Sequence, residues 1–431
     1  MQHTPLGQHL PHLTTAIPGP RSRAMIDILA RHECPAVTAR RARRAATLGN
    51  ATDDPFVWAE ARGANVVDND GNVFVDLTAG FAVALHGHRH PAIVAALQRQ
   101  TDKLLHAMGD AWPDRARIEL LEHLADIAPG DLSVSLLGLS GADAVDAALK
   151  TAVLKTGRSG VLNFEGGYHG LALGVLGVQA YKAAFKQPFR DITHRHTRTA
   201  PWLADRQDVR SALDRGDVGL VLVEPLQGRG GVRLPSSGWL QMLKEEAHRA
   251  GALLAFDEIQ CGLGRTGSLH EGVAQGVVPD LLCLGKALGG GVPLSACIGS
   301  IETMNAWGAS QGEALHTQTF LGHPLACAAG LASLRVIVEE DLPAVCMSRG
   351  AMLRSRLEAA GFSVRGRGLM LGVELGSASF WASRQLLHRG FITLPAGQQA
   401  EVLCLTPPAV LSEPQIGAFV DALTDIMRTA P

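Results

Sequence analysis

The sequence predicts an α/β protein with a large domain built on a mostly parallel sheet and a smaller α+β domain formed from both ends of the chain. From about residue 135 to 300, short apolar runs alternate with helical stretches, which is the pattern of parallel strands joined by crossover helices. Of the 431 residues, 46% are apolar and 19% are charged, so the chain can bury a large core. Its 48 glycines indicate many tight turns and close backbone approaches.

Two local patterns stand out near the N-terminus. Residues 36–46 are strongly basic and are best explained as a solvated helix face, with a binding patch as the alternative. Residues 62–77 alternate apolar and polar side chains around Asn69-Asp70-Gly71. This alternation predicts a β-hairpin that turns at those three residues.

The central part of the chain predicts buried strands and an amphipathic helix. The helix covers residues 239–251, where Leu240, Leu243, Ala247 and Ala250 share one face and Gly251 is suited to end the helix. Continuous apolar runs predict buried strands. These runs cover residues 161–164, 218–225, 252–258, 280–286 and 295–300.

A change of pattern near residue 325 marks the last part of the chain. A long helix is predicted at residues 325–340, and a shorter α+β region follows it. We therefore expect residues 1–85 to contribute to a small domain, residues 86–325 to form the large cofactor-binding α/β domain, and residues 326–431 to complete the small domain.

Composition excludes several functional classes. The 39 Lys and Arg residues against 41 Asp and Glu leave a net charge of −2, so no overall field would draw the chain to nucleic acid or to an anionic membrane. No uncharged apolar run approaches the ~20 residues of a membrane span, and the N-terminus lacks the pattern of a signal peptide. The seven scattered cysteines favour reduced thiols and a cytoplasmic location.

Three ionisable side chains follow predicted strands. Ligands of open parallel sheets bind at the carboxyl ends of the strands, and Glu224, Asp257 and Lys286 lie at such ends. Desolvation at a strand end would lower the pKa of Lys286 from the usual ~10.4, as an amine that forms a Schiff base requires. Taken alone, Lys286 could instead be an ordinary lysine whose ammonium reaches solvent.

Two glycine-containing motifs add binding groups to this edge of the sheet. Ser140-Gly141-Ala142 opens a predicted helix, whose first N–H groups and dipole favour a phosphate; an ordinary N-cap by Ser140 is the alternative. Tyr168, one of only two tyrosines, lies among the glycines of residues 165–170. An aromatic residue in such a loop is suited to stacking on a ligand ring, although a glycine-rich turn needs no ligand.

Together these groups match the requirements of pyridoxal 5'-phosphate. A phosphate-binding helix start, a stacking aromatic ring, a carboxylate and a lysine lie at successive strand ends of one predicted sheet. The lysine would form a Schiff base, and the carboxylate would keep the pyridine nitrogen protonated so that the ring can accept electrons. The sequence therefore predicts a pyridoxal-phosphate site.

The order and spacing of these motifs resemble the class III aminotransferases, pyridoxal-phosphate enzymes of fold type I. The resemblance covers roughly residue 55 to the end of the chain, and the set of motifs is highly specific. The matching stretches are VDLTAGFAVALHGHRHP (75–91), SGADAVDAALK (140–150), EGGYHG (165–170), VEPLQGRGG (223–231), FDEIQCGLGRTG (256–267), LGKALGGGVPLSA (284–296) and TQTFLGHPLACAAG (317–330).

The resemblance also implies roles for individual residues. Lys286 matches the Schiff-base lysine and proton shuttle, and Asp257 matches the partner of the pyridinium nitrogen. Thr319 matches a residue that reaches the cofactor phosphate of the partner subunit, which implies a homodimer with shared active sites. The other implied cofactor-binding residues are Ser140, Gly141, Ala142, Tyr168, His169, Glu224 and Gln260.

Three alternating histidines do not predict a metal site. His86, His88 and His90 have a spacing that metal ligands can show, but no cysteine or carboxylate nearby in the sequence completes a ligand set. The segment also matches the family's G-H-x-H-P turn. We therefore expect no bound metal.

At two positions the chain departs from the family pattern. Many class III aminotransferases have Q-G-E-G-G where this chain has Gln227-Gly228-Arg229-Gly230-Gly231, and an arginine on a late strand where it has Cys404. In the family that glutamate and arginine form a switchable pair, and the arginine takes the α-carboxylate of the acceptor. In this chain one cation remains, Arg229, and it lies on the side of the expected site where the family has the glutamate. Arg229 can bind a carboxylate bidentately and Cys404 cannot, so Arg229 is predicted to bind substrate and the usual mode of binding 2-oxoglutarate is in doubt. The alternative is that Arg229 points to solvent or to a structural carboxylate.

The predicted function is amino-group transfer between an amino acid or amine and a 2-oxo acid through a Lys286 Schiff base. An amino-acid racemase or epimerase of the same family is the alternative. Such enzymes often use a second acid/base at the position of Arg229, and arginine is a poor base because it stays protonated. Decarboxylation coupled to transamination is a third possibility. A non-catalytic binding protein would be expected to lack Lys286 or Asp257, and both are present.

Overall fold

The computed structural model describes residues 6–34 and 55–430, so the basic segment at residues 36–46 lies outside the described residues. Within the described ranges the chain forms three sheets. Their strands, numbered in chain order, are β1 (Trp58–Arg62), β2 (Asn65–Asp68), β3 (Val73–Asp76), β4 (Leu132–Gly138), β5 (Gly160–Phe164), β6 (Thr197–Ala200), β7 (Val218–Val223), β8 (Leu253–Asp257), β9 (Leu281–Leu284), β10 (Ser295–Ser300), β11 (Val364–Arg367), β12 (Met370–Glu374), β13 (Phe391–Ile392), β14 (Leu394–Ala396) and β15 (Val402–Leu405).

The large sheet has seven strands in the order β4-β10-β9-β8-β7-β5-β6. The five strands from β9 to β6 pair in parallel, whereas β10 runs antiparallel to both β9 and β4. Each of the five apolar runs contains a strand of this sheet, which confirms the predicted strands and the mostly parallel arrangement. Strands β5 and β7 are buried along their whole length, as continuous apolar runs predict.

Helices cover both faces of the large sheet. Along β7, Leu220 and Leu222 pack in the cluster of helix Gly141–Thr156, while Val221 and Val223 pack in the cluster on the other face. The helices of eight or more residues are Pro20–His32, Pro91–Thr101, Arg115–Ile127, Gly141–Thr156, Arg206–Leu213, Trp239–Arg249, Pro324–Glu339, Leu342–Ala359, Ala378–Leu387 and Glu413–Met427.

Two of these helices were predicted from their sequence patterns. Helix Trp239–Arg249 buries Leu240, Leu243 and Ala247, and Gly251 follows it with φ +70°. Helix Pro324–Glu339 matches the long helix predicted at residues 325–340. In the described part of the chain, no helix is long and apolar enough to cross a membrane.

The two smaller sheets bring both ends of the chain together. The predicted hairpin forms from β2 and β3, and β3 pairs in parallel with β13 from the C-terminal region. The other small sheet has the order β11-β12-β15-β14 and is antiparallel. One core cluster contains Val75 and Leu77 together with C-terminal residues such as Leu403 and Phe419. The domain boundaries after residues 85 and 325 stay a prediction, and helix Pro324–Glu339 crosses the second of them.

Candidate active site

A cavity of about 270 Å³ lies where the carboxyl ends of the parallel strands meet the start of helix Gly141–Thr156. It contains all but one of the predicted cofactor-binding residues. The exception is Thr319, which is exposed and lies outside the cavity of its own chain. The residues that line it are Ser140, Gly141, Ala142, Tyr168, His169, Gly170, Glu224, Asp257, Ile259, Gln260 and Lys286.

One wall of this cavity is the N-terminus of a 16-residue helix. Ser140 caps it, because its Oγ accepts the N–H of Asp143 at 3.3 Å and the Asp143 carboxylate accepts the N–H of Ser140 at 3.0 Å. A Cβ at Gly141 would lie 2.8 Å from the Ile259 side chain, so glycine permits this close approach. Ser140 is therefore an ordinary N-cap and also a cavity residue. The N–H groups of the first turn have no acceptor within the helix, which suits them to bind a phosphate.

Asp257, at the end of β8, is held by both carboxylate oxygens. Its Oδ2 lies 2.8 Å from His169 Nδ1, and its Oδ1 accepts the N–H of Ile259 at 3.1 Å. Burial opposes protonation of His169, but the hydrogen bond and charge of Asp257, with the charge of Glu224, outweigh it and raise the pKa of His169. The pair presents an oriented, buried carboxylate to the cavity.

Lys286 follows β9 and has a left-handed backbone, with φ +43°. This conformation is unfavourable for a residue other than glycine and is typical of functional sites. The side chain is partly buried, and burial lowers the pKa of its ammonium group. A lysine with a lowered pKa is a better nucleophile and base near neutral pH.

Glu224 organises the two loops that border the cavity. Its Oε1 accepts the N–H of Tyr168 at 2.8 Å, and its Oε2 accepts the N–H of Gly228 at 3.2 Å. Burial raises the pKa of Glu224 to about 7. The carboxylate therefore positions the loop that carries Tyr168 and the loop that carries Arg229, in addition to lining the cavity.

A second cavity, of about 390 Å³, shares Tyr168, Gln260 and Lys286 with the first. We call it the substrate cavity, because Lys286 lines it and the residues of the helix N-terminus do not. Both positions that depart from the family pattern, Arg229 and Cys404, line it. The remaining lining residues are Thr78, Phe81, Leu171, Phe185, Gly228, Leu394, Pro395, Ala396 and Thr406.

Arg229 lies between the two tyrosines of the chain. Its Cζ is 5.7 Å from the centre of the Tyr168 ring and 5.3 Å from that of Tyr181. Its Nε is buried and has no hydrogen-bond partner among the described residues. Tyr181 is anchored in turn, because its hydroxyl donates to the carbonyl of Gly397 at 2.8 Å. The arrangement holds a guanidinium at the cavity wall by cation–π contacts.

Cys404 keeps a neutral thiol beside this cation. Burial raises its pKa to about 11, although the charges of Arg229 and Arg265 act in the opposite direction. A neutral thiol is a weak hydrogen-bond donor. Of the two exchanged positions, only Arg229 offers the substrate cavity a charge.

Several lining residues were not predicted from the sequence. Tyr181 is one of only two tyrosines, and that scarcity was the one available signal for it. Phe81 lies in the matched segment at residues 75–91, but its place depends on a left-handed turn with φ +65° at Phe81 itself. The carboxylate of Asp76 holds this turn by accepting the N–H of Gly80 at 2.9 Å and the Nε2–H of His88 at 2.8 Å.

The three alternating histidines have separate partners. His86 Nε2 lies 2.8 Å from the hydroxyl of Ser333, His88 contacts Asp76, and His90 Nε2 lies 3.2 Å from Glu340 Oε1. Among the described residues, no three His, Cys, Asp or Glu side chains are grouped so that they could hold a metal ion.

The donor set of the first cavity fits pyridoxal phosphate. The helix N-terminus offers N–H groups to a phosphate, buried Asp257 offers a carboxylate to a ring nitrogen, and Lys286 offers an amine of lowered pKa. Tyr168 lies between these groups and the substrate cavity.

Comparisons with known proteins identify relatives of this chain. The family described as class-III aminotransferase matches residues 48–427. The chain is 37% identical to the acetylornithine aminotransferase of Methanopyrus kandleri over 87% of this chain and 95% of the relative. It is 35% identical to the LysW-aminoadipate semialdehyde transaminase of Deinococcus radiodurans over 86% of each chain.

Solved structures show the same fold. The ornithine aminotransferase of Toxoplasma gondii has a TM-score of 0.81 and 26% identity, covering 94% of both chains. The pyridoxal-phosphate-bound amine transaminase of an uncultivated Pseudomonas species has a TM-score of 0.79 and 28% identity, covering 88% of this chain and 96% of that one. These matches confirm fold type I, the cofactor pyridoxal phosphate and the predicted transaminase activity. The chain belongs to the class-III aminotransferase family.

Proposed function

We propose that Arg229 binds the carboxylate of the amino acid and of the 2-oxo acid that this transaminase interconverts. One observation carries the proposal: a guanidinium held between Tyr168 and Tyr181 lines the same cavity as Lys286. Its buried Nε has no partner among the described residues, so a bound carboxylate would satisfy a donor that the fold leaves open. Arginine pairs with carboxylates bidentately, which also orients the substrate.

The overall reaction balances without an outside oxidant or reductant. The donor gives up its amino group and leaves as a 2-oxo acid, and the acceptor 2-oxo acid takes that amino group and leaves as an amino acid. Bound pyridoxal phosphate supplies an electron-withdrawing ring for this exchange. Lys286 Nζ is the group that accepts the proton from the substrate carbon and returns it. Asp257, oriented by His169, would keep the pyridine nitrogen of the bound cofactor protonated.

The test compares norvaline with its decarboxylated analogue butylamine as donors. In the Arg229→Gln variant, kcat/KM for norvaline should fall by the equivalent of about 2–5 kcal/mol, the cost of removing one partner of a desolvated charge pair. The value for butylamine should change much less. Equal losses for both donors would show that Arg229 supports its loop and does not bind the carboxylate.

Two controls sharpen this test. Arg229→Lys keeps the positive charge but loses the paired N–H donors of the guanidinium. Its kcat/KM for norvaline should therefore lie between the values of Arg229→Gln and the wild type. Arg190→Gln removes an arginine whose side chain is 78% exposed and should leave both values unchanged. Chiral analysis of the same mixtures reports racemisation, which a permanently protonated residue at position 229 disfavours.

We also infer that the enzyme is a homodimer with shared active sites and acts in the cytoplasm. Thr319 is exposed and outside its own cavity, as expected of a residue that serves the partner subunit. Large apolar side chains are exposed near it in the sequence, including Leu315 at 71% and Phe320 at 52%. All seven cysteines are unpaired, which suits a reducing compartment. Light scattering measures the mass, and Thr319→Val should weaken cofactor binding if the residue reaches the phosphate.

A further inference from the structure

We propose that the substrates of this transaminase are amino acids and 2-oxo acids with a single carboxylate and an apolar side chain, and that dicarboxylic substrates such as glutamate and 2-oxoglutarate are poor. The inference rests on the proposed binding of the carboxylate by Arg229. It adds a statement about the rest of the substrate, which the other walls of the substrate cavity decide.

The first argument is the number of cations. Among the described residues that line the substrate cavity, Arg229 and Lys286 are the ones that can carry a positive charge. Lys286 takes part in the reaction, and Arg229 is occupied by the first carboxylate. A second carboxylate in the cavity would therefore find no cationic partner on this chain, and an unpaired buried charge is strongly unfavourable.

The second argument is the apolar wall. Phe81, Leu171 and Phe185 form part of the lining, and the segment from Leu394 to Ala396 adds three further apolar side chains. Phe81 and Leu171 are 63% and 43% exposed, so they offer apolar surface that a ligand can cover. Covering such surface with a hydrocarbon side chain is favourable, whereas covering it with a carboxylate is not.

The third argument is that the two threonine hydroxyls of the wall already donate to groups of the protein. The hydroxyl of Thr78 donates to Asp76 Oδ1 at 2.7 Å, and the hydroxyl of Thr406 donates to the carbonyl of Thr78 at 3.0 Å. Cys404 contributes a neutral thiol, which is a weak donor. The two threonines therefore keep their protons for the protein and do not offer them to a second carboxylate.

Both halves of the reaction are subject to these limits. The donor and the acceptor of a transaminase occupy the same cavity in turn, because the amino group passes through one site. The preferred acceptor is therefore also a monocarboxylic 2-oxo acid, and pyruvate should be used far better than 2-oxoglutarate.

The experiment measures kcat/KM of the holoenzyme for three donors of similar length: norvaline, glutamine and glutamate. Norvaline should exceed glutamate by roughly 100-fold or more, with glutamine between them, because a neutral amide is less costly to bury than a carboxylate. From alanine through 2-aminobutyrate to norvaline, the value should rise about fourfold per methylene. Values for glutamate within threefold of norvaline would overturn the proposal.

A variant tests the cause. Leu171 is partly exposed, so Leu171→Arg can place a second cation at the wall without entering the core. The ratio of kcat/KM for glutamate to that for norvaline should rise at least tenfold. Leu171→Gln, which adds polarity of similar reach but no charge, is the matched control and should raise the ratio much less. Equal effects of the two changes would refute the argument from the number of cations.

Binding of unreactive acids provides a readout apart from turnover. Pentanoate should raise the melting temperature of the wild-type holoenzyme more than glutarate at equal concentration, and Arg229→Gln should abolish the effect of pentanoate. Equal effects of both acids, with the dependence on Arg229 intact, would overturn only the substrate class. Loss of the dependence on Arg229 would overturn the proposed carboxylate site itself.

Discussion

Replacing Ser333 by alanine should weaken both the fold and the reaction, because Ser333 connects His86 to the backbone beside Lys286. Ser333 lies on helix Pro324–Glu339 and is fully buried. Its hydroxyl donates to the carbonyl of Ala287 at 2.6 Å and lies 2.8 Å from His86 Nε2. A carbonyl can only accept, so the hydroxyl proton goes to Ala287 and His86 Nε2–H donates to the Ser333 oxygen.

The size of the effect follows from the groups left behind. Burial, with the charges of His90 and Arg265, lowers the pKa of His86 to about 3, so its imidazole is neutral at ordinary pH. Its Nδ1 has no hydrogen-bond partner among the described residues. In Ser333→Ala, the His86 N–H would lose its partner, whereas the Ala287 carbonyl would keep the N–H of Gly290 at 3.1 Å. One buried unpaired group costs about 1–3 kcal/mol, so we expect a loss of about that size in the free energy of unfolding.

The assay compares Ser333→Ala with Ser379→Ala in urea-induced unfolding at one protein concentration. Ser379 is also fully buried, but its hydroxyl has no hydrogen-bond partner among the described residues. The same chemical change there should alter stability by less than about 1 kcal/mol. Because the lost contact holds the residue after Lys286, whose φ is +43°, kcat of Ser333→Ala should also fall, by about tenfold, with KM changed less.

Two results would refute this reasoning. Equal destabilisation by the two serine substitutions would show that the hydroxyl contacts of Ser333 contribute nothing beyond burial. A destabilised Ser333→Ala variant with unchanged kcat would show that these contacts support the fold but do not position Lys286.

Three further predictions concern the reactive centre and its surroundings. Lys286→Ala should reduce turnover by orders of magnitude and abolish the covalent attachment of cofactor that mass spectrometry detects after hydride reduction; substantial turnover without added amine would contradict the role of Lys286. Asp257→Asn should retain bound cofactor but slow proton removal from the substrate carbon at least 100-fold, which is measured as the loss of deuterium from a labelled substrate. A rate equal to that of the wild type would mean that another group holds the proton on the pyridine nitrogen. His86→Asn should reduce acid sensitivity: the pKa of His86 is about 3 in the folded state against 6.5 unfolded, so stability is complete above pH 6.5 and is lost as the pH falls towards 3, by about 2 kcal/mol at pH 5. Unfolding midpoints at pH 7 and pH 5 should therefore differ less in this variant than in the wild type, and equal differences would show that His86 is not the responsible group.

The candidate site was predictable where a local pattern specifies a position in the fold. An apolar run followed by a polar residue marks the end of a buried strand, and strand ends converge in a parallel sheet. The pattern predicts that Glu224, Asp257 and Lys286 lie close together, and in the structure all three line one cavity. Ser140 and Gly141, at the start of a run with helical spacing, predicted the helix start beside them.

The direction of β10 and the walls of the substrate cavity were not predictable in this way. An apolar run such as residues 295–300 has the same pattern in either direction, and pairing with β9 and β4 decides that it runs antiparallel. Phe81 reaches the cavity through a left-handed turn that Asp76 stabilises, and neither the apolar pattern nor residue propensity predicts that turn.

The sequence by itself therefore determined the fold class and the cofactor of this protein and predicted its candidate reactive groups, because each depends on short-range patterns and on residue types that the chemistry requires. Only the tertiary structure decided what surrounds Arg229. Tyr181 contributes a ring to that guanidinium and is anchored at Gly397, 216 positions along the chain. Contacts between such distant positions arise when separate elements pack against one another, and no local pattern records which side chains will then meet.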